Sequence, residues 1–436
     1  MRKVLIIAYF FPPLGGAGVQ RTLKFVKYLP FEGFEPVVLT VKNPSYDAFD
    51  ERLLSEIDSK IKIFKAHSFE PGRLYNILKK IIPWKKPKSS GTSGVYRPGL
   101  LNRIYNFIFI PDDKIFWGFF AFLKGFGIVK REKTEILYST SMPYSSHIAG
   151  LLLKKFTGLP WVADFRDPWA SNTYARPSTR LHDLINKKLE KLVVKNADAV
   201  ISVTAPIVAD FKRNYPRYSR KFHLITNGFD PADFENIARR AENEFSVTHV
   251  GTIYGETRNP SGFIAAFDDF LSTEGVNPEL CRAVFAGNID RFNLGVIEEK
   301  KNTLKHKNCL VQLPYISHEE CVKLLYSSSV LLLIEGEAKS LTGKIFEYLA
   351  SGRPILALAA ENSPVSLLIR ETASGEVVEL NDIAKIRGRL LKYYKDFKNS
   401  GLPGNTNSSL IGKFSRKELT KQLAEIFNSL KGGSDG

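Results

Sequence analysis

The sequence predicts an α/β protein of two doubly wound domains, and three observations carry that prediction. Short apolar runs alternate with helical patterns from the start: KVLIIAYF, QRTLKFVKYL and PVVLTV, then EILYSTS, SHIAGLLLKKF and WVADF. This alternation marks βαβ units, in which helices cover both faces of a parallel sheet and the strands read as nearly continuous apolar runs. A second series opens at FSVTHVGTI and passes through CRAVFAGNI, CLVQLPYI and VLLLIEG to PILALAA. The chain of 436 residues also exceeds what one hydrophobic core supports, since single cores stop growing near ~250–300 residues. The polar, turn-rich stretch ITNGFDPADFENIARRAENE separates the two series. It places an N-terminal domain at 1–226, a connection at 227–244 and a C-terminal domain at 245–412, with a last element at 413–430. Within that element RKELTKQLAEIFNSL, Arg416 to Leu430, is an amphipathic helix, and KGGSDG after it is a frayed tail.

The first strand comes from MRKVLIIAYFF, which pairs two basic residues with a short apolar run as a secretory signal does. It continues into Pro12-Pro13-Leu14-Gly15-Gly16, a loop opening a helix and not a small-residue cleavage site, so a buried strand is expected. The loop Gly15-Gly16-Ala17-Gly18 leads into Val19-Gln20-Arg21. A dehydrogenase fingerprint needs G-x-G-x-x-G and an acid ending the second strand, whereas PVVLT is followed by VKNPS. Gly15 and Gly16 are therefore expected to line an interdomain cleft, their amides near a diphosphate or an acceptor; a plain tight turn is the alternative. Further on, Lys85 to Pro98 (KKPKSSGTSGVYRP) lacks periodicity and reads as a mobile loop. Phe116-Trp117, Phe119-Phe120 and Phe122, punctuated by Lys114 and Lys124, have helical spacing. Core packing is the expectation there, although aromatic residues beside basic ones are also what an interfacial patch requires.

In VADFRDPW, the strand WVADF ends where Arg166 and Asp167 reach past the sheet, the place where ligands bind in open α/β folds. Asp164, inside that strand, is expected to orient its neighbours. His147, in SSHIAG, either faces the same cleft or is a satisfied buried histidine. Asn227-Gly228 is a turn that also suits a cleft-lining hinge.

Charge is unevenly spread. Of a net +17, residues 1–230 hold 37 Lys or Arg against 19 Asp or Glu, and residues 231–436 hold 25 against 26. A basic N-terminal face suits an anionic membrane surface, a lipid-diphosphate acceptor or nucleic acid, or is simply a solvated surface. The three cysteines, Cys281, Cys309 and Cys321, lack the paired spacing of a zinc site or redox motif, and a reduced, intracellular compartment fits them. No apolar stretch reaches the ~18–20 residues that a spanning helix needs, so a cytoplasmic protein is expected, soluble or peripheral.

The most informative chemistry lies at Thr342 to Leu356, TGKIFEYLASGRPIL, just after the apolar run Val330 to Ile334. A buried strand, a small-residue turn and a helix aim backbone N–H groups at an anion, with Thr342 and Gly343 at the helix start. Lys344 and Glu347 are three apart. One helical face thus offers a cation to phosphate and, a turn deeper, a carboxylate for two ribose hydroxyls. The helix stops at Ser351-Gly352, and Pro354 begins another strand.

These residues resemble the donor-binding motif of family 4-like glycosyltransferases, two-domain enzymes of GT-B type with facing Rossmann-like domains that act on bacterial surface polysaccharides. The resemblance continues, in order, through YFFPPLGGAGVQR, PDDKIFWGFFA, STSMPYSSHIAG, PWVADFRDPW, ITNGFD, HVGTIYGETRNP and ENSPVSLLIRE. It implies transfer of a sugar from a nucleotide-diphosphate donor to a saccharide or lipid-linked acceptor, retention of anomeric configuration, and a last helix that crosses back onto the first domain. Arg258 stands roughly where members carry a diphosphate-binding basic pair in a glycine-led loop, although Gly251-Thr252 has no Arg after the glycine. Asp167 ends the segment where related enzymes place a catalytic His or Asp, which makes it the candidate base; a salt bridge to Arg166 or an N-cap is the alternative. Asn227 gains a modest push toward the site. Many members carry two glutamates eight residues apart, and here Lys339 stands eight before Glu347.

The leaving diphosphate gathers negative charge in the transition state, so cations and oriented amides should dominate catalysis. Lys344 and Arg258 are those cations. With Asp167 they form the expected catalytic set, and Gly15, Gly16, Gly251, Thr252, Thr342, Gly343 and Glu347 the donor-binding set. His147, Asp164, Arg166 and Asn227 are the expected acceptor or cleft residues. No His, Asp or Glu cluster has metal-ligand spacing, so neither metal nor cofactor is expected beyond the nucleotide-sugar co-substrate. Two other readings stand beside this one. A nucleotide-sugar epimerase or hydrolase would share the fold. A non-catalytic basic protein binding membrane or nucleic acid would explain the charge but not Lys344 and Glu347 on one helix face, and no nucleic-acid partner is expected.

Overall fold

A computed structural model describes residues 1–44, 46, 49–69, 109–170, 179–235, 237, 243–337, 340–399 and 408–430. The Lys85–Pro98 loop and Lys339 lie outside them. The chain divides into two units: among the described residues, 1–226 with 416–430 form one and 227–415 the other.

The N-terminal unit carries strands β1 (Arg2–Ile7), β2 (Phe34–Val41), β3 (Lys62–Ala66), β4 (Ile136–Ser141), β5 (Trp161–Phe165), β6 (Ala199–Ser202) and β7 (Phe222–Leu224). All neighbours pair in parallel, in the order β3-β2-β1-β4-β5-β6-β7. Its helices are α1 (Ala17–Tyr28), α2 (Ile115–Glu132), α3 (Ser145–Thr157), α4 (Arg180–Asn196) and α5 (Ala205–Asn214). The C-terminal unit repeats the plan with β8 (Phe245–Val250), β9 (Cys281–Ala286), β10 (Leu310–Leu313), β11 (Val330–Glu335), β12 (Ile355–Ala359) and β13 (Gly375–Val378). They are again parallel, in the order β10-β9-β8-β11-β12-β13. Helices α6 (Ser261–Leu271), α7 (Arg291–Thr303), α8 (His318–Ser327), α9 (Lys344–Ser351), α10 (Pro364–Thr372), α11 (Ile383–Asn399) and α12 (Ser408–Gly412) accompany them. In each sheet the order reverses once, between β1 and β4 and between β8 and β11. Loops leaving neighbouring strands there diverge and open a crevice at the strand carboxyl ends.

Apolar cores lie on both faces of each sheet, which is why the strands are apolar throughout and not alternating. A final helix, α13 (Arg416–Ser429), returns to the N-terminal unit, where Leu419, Leu423 and Phe427 join Val4, Ile6, Phe25 and Tyr138 in one core. Burying a side chain such as Phe427 contributes about 1.5–3 kcal/mol, enough to anchor the returning chain.

The aromatic cluster of α2 departs from the core packing its spacing suggested. Trp117 is fully buried, but Phe116, Phe119, Phe120 and Leu123 are exposed. The cause is the glycines. A Cβ on Gly118 would lie 2.7 Å from the Ser145 carbonyl oxygen, and one on Gly125 2.9 Å from a Leu153 methyl. The glycine face therefore packs against α3, which turns the phenylalanines outward.

Candidate active site

At the crevice between β8 and β11 the C-terminal unit carries Gly251, Thr252, Thr342, Gly343, Lys344 and Glu347, whereas Gly15 and Gly16, also expected to bind the donor, belong to the N-terminal unit. Gly251 directly follows β8 with φ 148°, and a Cβ there would stand 3.8 Å from Lys344 Cγ and 3.7 Å from His249 Nε2. Lys344 opens α9, whose N-cap Gly343 provides no side-chain cap; the Ile345 and Phe346 amides donate instead to the Thr342 and Gly343 carbonyls, both at 3.3 Å. Lys344 Nζ donates to Glu347 Oε2 at 2.8 Å, with both side chains partly exposed. Desolvation would lower the Lys344 pKa, but the Glu347 carboxylate outweighs it and holds it above the ordinary lysine value. Thr342 is half-buried, its carbonyl accepting from Ile345 N, while Thr252 is exposed.

Arg258 arrives from the loop after β8. Its Nη2 donates to Glu335 Oε2 at 2.6 Å, its Nη1 points to the Thr252 carbonyl at 3.5 Å, and it lies over the Tyr254 ring at 4.4 Å. Glu335 is fully buried and also accepts from Ser340 Oγ at 3.3 Å. Burial pushes its carboxyl up, partly offset by Arg258. Below them His249 donates from Nδ1 to the Leu332 carbonyl at 3.0 Å, and its buried Nε2 meets no partner among the described residues. Desolvation, and then the nearby cations Arg258 and Lys344, lower the His249 pKa to about 4, so its ring is neutral.

Sequence reasoning named Lys344, Glu347 and Arg258 and did not name Glu335 and Ser340, which bond beside Arg258, or His249, which lies near both cations. Glu335 had a readable signal, since a lone carboxylate ending the buried run VLLLI must meet a cation. His249, one polar ring in FSVTHV, had a similar one.

The N-terminal unit has a different centre. Arg21 of α1 grips Asp164 with Nε to Oδ2 at 2.8 Å and Nη2 to Oδ1 at 3.1 Å, and its Nη1 donates to the Thr226 carbonyl at 2.7 Å. Tyr138 and Thr140 hydroxyls add bonds to Asp164 Oδ2 at 2.5 and 3.3 Å. Burial would raise the Asp164 pKa, yet Arg21 holds it below the usual carboxylate value. His147 is also buried: its Nδ1 meets Ser139 Oγ at 2.9 Å, its ring packs on Phe165, and desolvation lowers its pKa to about 3. Neither Asp164 nor His147 has surface to offer an acceptor, which corrects their assignment as acceptor residues. Both brace the ends of β4 and β5 from within.

Arg166 and Asp167 reach further. Arg166 Nη1 donates to the Gly18 carbonyl at 2.6 Å, tying the glycine loop to the end of β5. Asp167 is exposed, and desolvation on its inner side raises its pKa against the pull of Arg166. Gly15 is buried. Gly16 is exposed with φ 88°, a conformation that requires glycine before α1. Asn227 is half-buried at the first position of the C-terminal unit.

The profile of Glycosyltransferase Family 4 matches residues 15–233. The chain belongs to glycosyltransferase family 4. This family 4 chain also shares its fold with solved structures along nearly its whole length. A glycosyltransferase from Rickettsia africae superposes with a TM-score of 0.64 at 14% identity, covering 98% of each chain. Sucrose-phosphate synthase from Thermosynechococcus elongatus gives 0.63 at 13% identity, again over 98% of each. HepE from Anabaena, solved with UDP and also with UDP-glucose, gives 0.63 at 14% identity over 99% of this chain and 100% of its own. No curated protein matches the chain significantly in sequence. The two Rossmann-like sheets and the helix that returns to the first domain are therefore the GT-B fold of a glycosyltransferase.

Proposed function

We propose that this family 4 glycosyltransferase moves a sugar from a nucleoside-diphosphate donor to a saccharide or lipid-linked acceptor, with retention and without a metal, in surface polysaccharide assembly at the inner face of the cytoplasmic membrane. One observation carries the donor half: Lys344, Glu347 and Arg258 converge with an uncapped helix start on the crevice between β8 and β11. Lys344 and the α9 amides meet the diphosphate, and Arg258, oriented by Glu335, adds a second cation where leaving-group charge develops. Without ligand, Lys344 rests on Glu347. Nucleotide binding exchanges that contact, giving the ammonium to phosphate and the carboxylate to ribose hydroxyls. As the anomeric C–O bond breaks, the pair of electrons goes to the diphosphate oxygen, and the acceptor oxygen bonds to the anomeric carbon. Asp167, or the departing phosphate on the same face, takes the acceptor's proton. Two cations at the diphosphate supply the charge that a metal would otherwise supply.

The test is a thermal-shift panel of UDP, GDP, CDP, ADP and dTDP, with UDP tried first because HepE binds it. One nucleotide should raise the melting temperature selectively, and Glu347→Ala should abolish that rise while the unliganded protein melts nearly unchanged. Equal affinity of wild type and variant for every nucleotide would remove the clamp from the reading. Product analysis with donor alone separates transfer from epimerisation or hydrolysis, since a transferase releases little free or isomerised sugar without acceptor.

A further inference from the structure

The outward stripe of α2 is unused by any chemistry described above. Phe116, Phe119, Phe120 and Leu123 fall at the i, i+3, i+4, i+7 spacing of one helix face and are 38–52% exposed. An amphipathic helix normally turns such a stripe inward; here Gly118 and Gly125 hold the opposite face against α3, and Trp117 is buried against Tyr9. Neighbouring rings extend the patch. Phe69 and Phe109 pack edge-on against Phe116, at 5.7 and 5.8 Å between centroids. Phe156, itself 65% exposed, lies 5.3 Å from Phe122. An apolar surface this continuous marks a binding face.

The surrounding charge is mainly positive, and the half-exposed Asp113, three residues before Phe116, is paired with Lys114 at 3.3 Å. Lys65, Lys124, Lys130 and Lys155 are exposed around the patch, and Lys124 Nζ is tied to the Lys65 carbonyl at 2.6 Å. The single acid of α2, Glu132, is buried and bridged by Lys62 at 2.6 Å and Arg131 at 3.1 Å, so it does not offset them. Residues 70–108, which join Phe69 to Phe109 and lie outside the described residues, hold eight Lys or Arg against one Glu. Bulky aromatic side chains inside a cationic rim suit the headgroup boundary of an anionic bilayer, where rings enter the interface and lysines meet lipid phosphate. No described helix is long and apolar enough to cross a membrane, so the contact lies on the surface.

We propose that the outward face of α2 (Phe116, Phe119, Phe120 and Leu123 with Lys65, Lys124 and Lys130) docks this chain on an anionic lipid surface. The proposal does not depend on the donor site. Its test is co-sedimentation of the full chain with vesicles of phosphatidylcholine alone and of phosphatidylcholine mixed with phosphatidylglycerol. Wild type should partition onto the mixed vesicles only, and high salt should weaken it. The triple variant Phe119→Ser, Phe120→Ser, Leu123→Ser should lower partition about tenfold or more, with its melting temperature kept. Should that variant misfold, Lys124→Glu with Lys130→Glu, which leaves the apolar face intact, should lower partition onto the anionic vesicles instead. Failure of wild type to bind mixed vesicles, or unchanged binding by a folded variant, overturns the proposal. So does a wild-type dimer in sedimentation velocity that the triple variant dissociates, since the patch would then be covered by a second copy.

Discussion

Arg21–Asp164 in the N-terminal unit and Lys344–Glu347 in the C-terminal unit are ion pairs of the same length, 2.8 Å, yet they serve opposite ends. The first is sealed, its side chains 1% and 0% exposed; the Tyr138 and Thr140 hydroxyls also donate to its carboxylate, and its guanidinium also donates to the Thr226 carbonyl. The second is open, at 29% and 17%, and each partner keeps valences for something else. Burial, not distance, decides the role. A pair fully desolvated and fully bonded is scaffold, because breaking it strands a charge. A pair at the mouth of a crevice can trade partners at small cost, which a ligand clamp must do.

Substitution separates the two most sharply. Arg21→Met should cost about 3–5 kcal/mol of stability, since Asp164 is left charged and buried, and a denaturant melt reads that loss. Lys344→Met should change stability by no more than about 1 kcal/mol, as partly exposed pairs do. Its effect falls on turnover instead, on the order of 10²–10³-fold, the scale for removing one group that stabilises transition-state charge. Comparable destabilisation by both variants would end the distinction between sealed and open pairs.

Arg258–Glu335 stands between the two, with Arg258 12% exposed and Glu335 fully buried. Arg258→Met should lower both quantities. The stability loss is smaller than for Arg21, about 1–3 kcal/mol, because Glu335 has its pKa already raised by burial and neutralises itself by taking a proton. The accompanying loss of donor turnover, with nucleotide affinity measured separately, shows whether the guanidinium acts on bound diphosphate or only holds the loop. A variant with full turnover and reduced stability would make Arg258 a structural residue.

What the sequence revealed tracks how local each feature is. Lys344 and Glu347 were legible because one helical turn fixes their geometry, and the parallel sheets because apolar runs alternate with helical patterns. Arg21–Asp164 was not, since the partners lie 143 positions apart and only the order β1-β4-β5 brings them together. Glu335 and Arg258, 77 apart, meet for the same reason across β8 and β11. On α2 the apolar residues surround the helix, so periodicity alone did not choose an inner face; Gly118 and Gly125, where a Cβ has no room, were the better guide.

The two units also differ in what acid should do to them, and this is the smallest expected effect. His147 and His249 are buried neutral, with pKa values lowered by desolvation to about 3 and about 4, against an ordinary 6.5. Between the unfolded and folded values the unfolded chain binds a proton that the folded chain refuses. Stability is therefore unaffected above about pH 6.5 and falls as pH drops below it, by at most about 1.4 kcal/mol per pH unit for each ring. His318 acts in the opposite sense. Desolvation would lower its pKa, but the bond to Asp233 at 3.0 Å raises it, so its contribution is present at low pH and fades as pH rises through the folded value. Replacing His249 by Asn should flatten the acid slope of the C-terminal unit between about pH 6.5 and 4 and leave the slope set by His147. Parallel wild-type and variant stability curves over that window would mean His249 accepts its proton in the folded state, and the crevice beside Lys344 would then be wetter than its geometry shows.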